Sequence, residues 1–297
     1  MRIHVLGASA GGGLPQWNCG GPNSVRARQG DPAVPPRSQP SIAISSGDGR
    51  WSLVNASPDV RSQLMGFAGL HPRPGTRDIP LDTVVVTNAD LDHTLGLLIL
   101  RESLPHRIVT TPWIRDLLLD SNAVFRLLEP AFHAVKLDET FPVDREGLLE
   151  AKLLPVPGKV PSWAAELVSN SPEATLALRV VDRRSGRRLV YAPGLQRLDS
   201  GTLAELEQAD LRLVDGTFFT ADELRSMRPG APDAFAMGHV PITGAGGSLE
   251  QIAGLPGRSF YIHINNTNPI LDLGSAERQR VLDAGVDIAE DGMELSL

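Results

Sequence analysis

The chain has 297 residues, 41% hydrophobic and 21% charged, which supplies a substantial core and argues against disorder. A formal net charge of −7 and a pI near 5.5 disfavour a nucleic-acid partner, which needs a basic face for phosphates. A single cysteine, Cys19, excludes an intrachain disulfide and fits a reducing compartment.

RIHVL opens as a buried strand and runs into the glycine-rich GASAGGGLPQWN. The glycine spacing and Pro15 do not fit a dinucleotide fingerprint, so the glycines are read as a tight turn beside a cavity. Trp17 and Asn18 either line that cavity or pack the turn. The N-terminal apolar run is too short for a secretory signal, and no stretch reaches the length of a membrane span. A soluble, cytoplasmic protein is expected. Residues 20–40, rich in Gly, Pro, Arg and Ser, read as a long loop, with 19–40 expected to be mobile.

SIAIS and WSLVNAS flank a Gly-Asp-Gly turn, a hairpin signal. Ser57, Pro58 and Asp59 start a helix expected to reach about Met65. LDTVVVTNA is the next strand, and TLGLLILRESL the helix that leaves the loop after it. Thr111-Pro112 begins another helix, with apolar positions Leu117, Leu118, Val124 and Leu127. AKLLPV, the pair TLALRVV and RRLVYAP across RRSGRR, LRLVDG and RSFYIHIN are further strands. SAERQRVLDAG is a capped helix with a glycine stop. No repeat or linker divides residues 1–297, so one domain of α/β class is expected, with sheets covered by helices on their outer faces.

Polar groups gather where strands end: Asn88, Asp90, Asp92 and His93 after TVVVT, Asp215 after LRLV, and His263 in FYIHIN followed by Asn265. His239 lies in MGHVPITG. Asp92, His93 and His263 have the composition of a 2-His-1-carboxylate triad, which leaves positions open on non-haem Fe(II). Asp215 could add a second carboxylate, and a zinc hydrolase would want more imidazole. Each residue also has a plainer reading. Asp90 or Asp92 could cap a helix, His263 could be a core histidine, Asp215-Gly216 a turn, and His239 a loop hydrogen-bonder. His4, His71, His106 and His133 are given only that plainer reading.

The stretch N-x-D-x-D-H at Asn88–His93 resembles the H-x-H-x-D-H motif of the metallo-β-lactamase superfamily with its first two histidines replaced. That superfamily is an αββα sandwich with its metal centre along one edge. Asp215 looks like its bridging aspartate and His263 like its final histidine ligand. His239 matches a histidine that assists proton transfer in the phosphodiesterase branch. GASAGGGLPQWNC, NASPDVRSQL, TNADLDHTLGLLILRE, DGTFFTADEL, MGHVPITG and IHINNTNPIL, in that order, resemble the pyrroloquinoline quinone (PQQ) biosynthesis protein B family over almost the whole chain.

The resemblance implies Fe(II)- and O2-dependent hydroxylation of the tyrosine ring in a crosslinked Glu–Tyr precursor of PQQ. It implies metal ligands at Asp92, His93, Asp215 and His263, catalytic roles for His239 and Asp90, and support from Asn88 and Asn265. Small modified amino-acid or peptide precursors, and other proteins of the pathway, are the partners expected; nucleic acid and membrane insertion are not. The alternatives are a zinc hydrolase on the same ligands and a soluble carrier moving PQQ or its precursor toward the periplasm. The family's cysteine run C-x-C-x-x-C, which supports a structural zinc, is reduced here to Cys19, with Gly21 and Ser24 at the other positions. A structural zinc is therefore expected to be absent or displaced, and the segment after Cys19 looser.

Overall fold

The computed structural model describes residues 1–103 and 106–297. Two seven-stranded mixed sheets lie face to face with helices outside them, the αββα sandwich of the metallo-β-lactamase fold. The first sheet contains β1 (Arg2–Gly7), β2 (Ser41–Ser45), β3 (Trp51–Val54), β4 (Leu81–Val85), β5 (Arg107–Thr110) and β6 (Phe132–Ala134). The second contains β7 (Phe141–Pro142), β8 (Leu149–Pro155), β9 (Leu176–Asp182), β10 (Arg188–Ala192), β11 (Leu211–Asp215), β12 (Arg258–Ile262) and β13 (Val286–Ile288). The last strand, β14 (Glu294–Ser296), crosses back to pair with β1, giving the orders β14-β1-β2-β3-β4-β5-β6 and β13-β12-β11-β10-β9-β8-β7.

Alternation along the strands divides the core. Leu211 and Leu213 of β11, with Phe260 and Ile262 of β12, share one cluster with Ile3, Val5, Ile42 and Val84 of the facing sheet. Val214 and Tyr261 point the other way and join a second cluster beneath the outer helices. Arg212 points that way too and is fully buried, its guanidinium donating to Ser259 Oγ at 2.7 Å and to the carbonyls of Ala209 and Pro256.

β3 to β6 run parallel, as do β10 to β13, so their carboxyl ends open on one edge. There a bridge between Asn88 and Thr175 ties the end of the first sheet to the second. No helix among the described residues is long and apolar enough to cross a membrane.

Several expectations need correction. Residues 20–40 are not all loop: Pro22–Arg28 is a helix with proline in its first turn. Tertiary bonds hold it, from Asn23 Nδ2 to the carbonyls of Asn266 and Asn268, and from Arg26 to Asp31 and Asp272. The helix after Ser57 starts at Val60 and ends at Gly66, with the Asp59 amide donating to Ser57 Oγ. The helix expected from Thr94 starts earlier, as Leu91–Thr94, continues as Gly96–Leu100 and tightens to a 3₁₀ turn at Arg101–Ser103; its expected end, Leu104, lies outside the described residues. The helix at Pro112 ends at Ser121, and Val124 and Leu127 sit exposed on a separate 3₁₀ segment.

The break after Thr94 falls where the Gly96 amide donates to the Ala56 carbonyl at 2.9 Å, outside the helix. A Cβ on Gly96 would stand 2.2 Å from the Ser57 carbonyl oxygen, so the helix rests directly on the turn after β3. Gly96→Ala is expected to lower stability by roughly 1–3 kcal/mol through overpacking, measured by denaturant unfolding.

Candidate metal centre

Three segments meet at the open edge. β4 leads through Asn88 to the helix at Leu91, so Asp92 and His93 ride on that helix's first turn and not on the loop before it. Asp90 occupies the N-cap position but does not cap; its carboxylate accepts from Asn88 Nδ2 at 2.7 Å. β11 ends on Asp215. β12 ends at Ile262, one residue before His263, whose φ of +60° is uncommon for a residue with a side chain. That twist belongs to a site residue, where strained backbone tends to collect.

Asp92, His93 and His263 converge. Asp92 Oδ2 lies 3.2 Å from His263 Nε2 and 4.0 Å from His93 Nε2, and each residue offers an atom within 4.8 Å of the others. Atoms bonded about 2.1 Å from one ion stand at most about 4.2 Å apart, so both of these separations suit a shared ion. His93 Nδ1–H donates to Asn88 Oδ1 at 2.6 Å, which turns the Nε2 lone pair inward. His93 is 1% exposed and its Nε2 has no hydrogen-bond partner among the described residues, an unsatisfied buried nitrogen aimed at the other two ligand candidates.

Asp215 is spent differently. Its Oδ1 accepts from the Thr217 amide at 3.0 Å and Thr217 Oγ1 at 2.6 Å. Its Oδ2 accepts from the Leu195 amide at 2.8 Å and His239 Nδ1 at 2.7 Å. Four donors fill the acceptor sites of one carboxylate. With its proton given to Asp215, Thr217 Oγ1 accepts from His263 Nδ1 at 2.8 Å, which directs His263 Nε2 toward Asp92. His239 Nδ1 is likewise held, leaving Nε2 for the cavity that His239 lines. His239, Asp215 and His263 also fall within 4.8 Å of one another, so the two groups share His263.

The electrostatics separate the two neighbouring acids. Burial and the charge of Asp92 push Asp90 up to about 6. Burial works against Asp92 as well, but His93 and His263 outweigh it and hold its carboxyl below the usual range. Burial brings His93 down to about 4, the neutral form a metal requires. For His263 burial is outweighed by the hydrogen bond and charge of Asp92, which raise it. Asp215 is held low despite burial, chiefly by His239.

A cavity of about 740 Å³ opens above these residues. Gly11 and Gly12 line it as the glycine-rich turn implied, and a Cβ on Gly11 would stand 3.2 Å from Asp92 Oδ2. Trp17 neither lines it nor packs the turn; it is 86% exposed. Trp163, Phe218 and Leu91 supply apolar wall, and Trp163 Nε1 is fixed on the Ala89 carbonyl at 2.9 Å. Thr217, Trp163, Lys159 and Arg228 were not among the sequence candidates. For Thr217 the signal was its place two residues after Asp215; the other three carry none.

Asn265 also lines the cavity, and its Nδ2 donates to Thr267 Oγ1 at 2.6 Å, which contacts Glu223 Oε1 at 2.5 Å. Burial pushes Glu223 from 4.5 up to about 7. A carboxyl with a raised folded-state pKa contributes full stability below about pH 4.5, and that contribution is lost as pH rises through about 7. Glu223→Gln is therefore expected to be more stable than the parent at about pH 8 by roughly 2 kcal/mol, less than the full shift because the residue is part-exposed. The gap should close by about pH 4; melting curves across that range check it.

Against known proteins, residues 50–264 match the β-lactamase superfamily domain model. The chain is 44% identical to coenzyme PQQ synthesis protein B of Methylobacterium nodulans and 40% identical to that of Azotobacter vinelandii, covering all of both chains in each case. The chain belongs to the coenzyme PQQ synthesis protein B family. The zinc-bound PqqB structure from Methylobacterium extorquens aligns over the full length of both chains, with a TM-score of 0.93 and 38% identity. A diphosphatase of the PhnP family, with a TM-score of 0.67 and 20% identity, shares the fold.

Within this PqqB-family chain, hydrogen bonds hold the segment after Cys19. Ser24 is buried, and its Oγ accepts from the Gln16 amide at 3.3 Å and Asn266 Nδ2 at 3.2 Å. Cys19 Sγ accepts only from the Gly21 amide, at 3.3 Å, and Cys19 joins no metal-ligating group among the described residues. Purified protein is expected to carry one metal equivalent per chain by elemental analysis. A second equivalent lost in Cys19→Ser would contradict this.

Proposed function

We propose that the chain acts in coenzyme PQQ synthesis as a metal-dependent enzyme. One ferrous ion would be held by Asp92 Oδ2, His93 Nε2 and His263 Nε2, and the reaction is hydroxylation of the tyrosine ring of a crosslinked Glu–Tyr precursor. Family membership supports the pathway. The observation that carries the site is His93 Nε2, buried and unpartnered beside two further ligand atoms. Iron held by these two imidazoles and one carboxylate would supply dioxygen activation.

The chain's own residues do the rest. Asn88 and Thr217 fix the tautomers of His93 and His263, and Asp215 fixes that of His239. His239 Nε2 is then available to exchange a proton with the phenol. Asp90, with its pKa near 6, can hold a second proton at the cavity floor. Trp163, Phe218 and Leu91 exclude water around an aromatic ring. One oxygen atom enters the ring and the other leaves as water, which requires two electrons from an added reductant such as ascorbate.

Incubation of the Fe(II)-loaded protein with a precursor peptide bearing the crosslink, ascorbate and isotopically heavy dioxygen tests this. One heavy oxygen in the ring is the expected product, and its absence in His239→Ala supports the proton role. Hydrolytic cleavage of a bond in the precursor with water oxygen in the product, supported by zinc and independent of dioxygen, in place of ring hydroxylation would overturn it. That outcome would favour a zinc hydrolase, the reading encouraged by the zinc in the Methylobacterium extorquens structure. Tight binding of PQQ or its precursor with no turnover would favour the carrier.

A further inference from the structure

Two cations on the cavity wall have no acid bonded to them. Lys159 is held in place: its stem lies against Gly238, where a Cβ would stand 3.1 Å from Lys159 Cγ, and its carbonyl accepts from Thr175 Oγ1 at 3.4 Å. Its ammonium donates to the Ala236 carbonyl at 3.0 Å, which leaves two N–H groups without an acceptor among the described residues. The Arg228 guanidinium, also on the wall, makes no ion pair or hydrogen bond among the described residues. Arg61, Arg77, Arg197 and Arg280 are also without an acid among the described residues, but none of them lines this cavity. Arg26, Arg37, Arg50, Arg179 and Arg278 each find a carboxylate within 3.1 Å. In a chain with 35 acids against 28 Lys and Arg, two unpaired cations facing one cavity call for an anionic occupant.

We propose that Lys159 and Arg228 form a carboxylate-binding wall, and that the cavity selects an aromatic substrate carrying at least two carboxylates. The floor already holds Asp90 and Asp92, which repel a doubly charged phosphate more than a singly charged carboxylate. Trp163 and Phe218 also line the cavity, and such aromatic side chains suit a flat ring. Burial lowers the Lys159 pKa and Asp90 opposes that, so the ammonium is less well solvated than a surface lysine and gains more from an arriving anion.

The proposal uses the reading above only to choose its probe. Binding of PQQ, a tricarboxylic acid, and of its trimethyl ester is measured by titration calorimetry on the zinc-loaded chain. Lys159→Met, which keeps the stem, and Arg228→Gln are each expected to weaken PQQ about tenfold or more, and together about 100-fold. The ester is expected to bind weakly and equally to parent and variants. Parent-like affinity for PQQ in the double variant, equal affinity for acid and ester, or no binding of PQQ would each overturn the wall. Absence of turnover leaves this measurement untouched, so the wall and the hydroxylase reading fail separately.

Discussion

His263→Ala is expected to lower metal affinity by more than about 100-fold, beyond the usual cost of losing a supporting contact, and to abolish hydroxylation. Two effects add. The variant removes Nε2, the ligand candidate 3.2 Å from Asp92 Oδ2, and leaves His93 Nε2 and Asp92 as an incomplete pair. It also removes the charge that helps hold Asp92 below the usual carboxylate range. The backbone should tolerate the change, because alanine meets the same φ of +60° as the histidine it replaces. Metal competition with a chromophoric chelator reads the affinity, and circular dichroism checks the fold. Affinity within a few-fold of the parent would remove His263 from the ligand set.

Thr217→Val is expected to lower stability by roughly 2–3 kcal/mol and metal affinity by about 10–100-fold, although Thr217 is not a ligand candidate. Valine keeps the shape and loses the hydroxyl on which three side chains converge. Asp215 Oδ1 loses its 2.6 Å donor, His263 Nδ1 its 2.8 Å acceptor, and His239 Nδ1 a contact at 3.0 Å. Asp215 and His263 are buried, so water cannot substitute freely. Thr217→Ser keeps the hydroxyl and should restore most of the affinity. If valine and serine behave alike, packing and not the hydroxyl is what matters there.

The strands were legible because apolar and β-branched runs are buried on both faces, as LDTVV in β4 shows. The centre was legible because its residues stand at or just past strand ends, a position fixed by local order: Asp92 and His93 after β4, Asp215 closing β11, His263 after β12. What sequence pattern does not carry is whatever long-range partners decide. The helix Pro22–Arg28 has no apolar stripe and is held by bonds to Asn266, Asn268 and Asp272. β13 and β14 are three residues each and are defined by their neighbours. Val124 and Leu127 fit a helical period, yet the extended backbone at Asn122 ends the helix before them. Lys159 and Arg228 come to one cavity from segments far apart, and nothing local announces either.

The most direct measurement is the EPR spectrum of the protein loaded anaerobically with Fe(II) and treated with nitric oxide, recorded beside His263→Ala. A half-integer-spin iron–nitrosyl signal in the parent, absent from the variant, is the expected result: iron at this centre with a position open to a diatomic ligand. No such signal in the parent, with zinc retained in place of iron, would contradict the hydroxylase reading and leave hydrolysis or carriage as the function of this site.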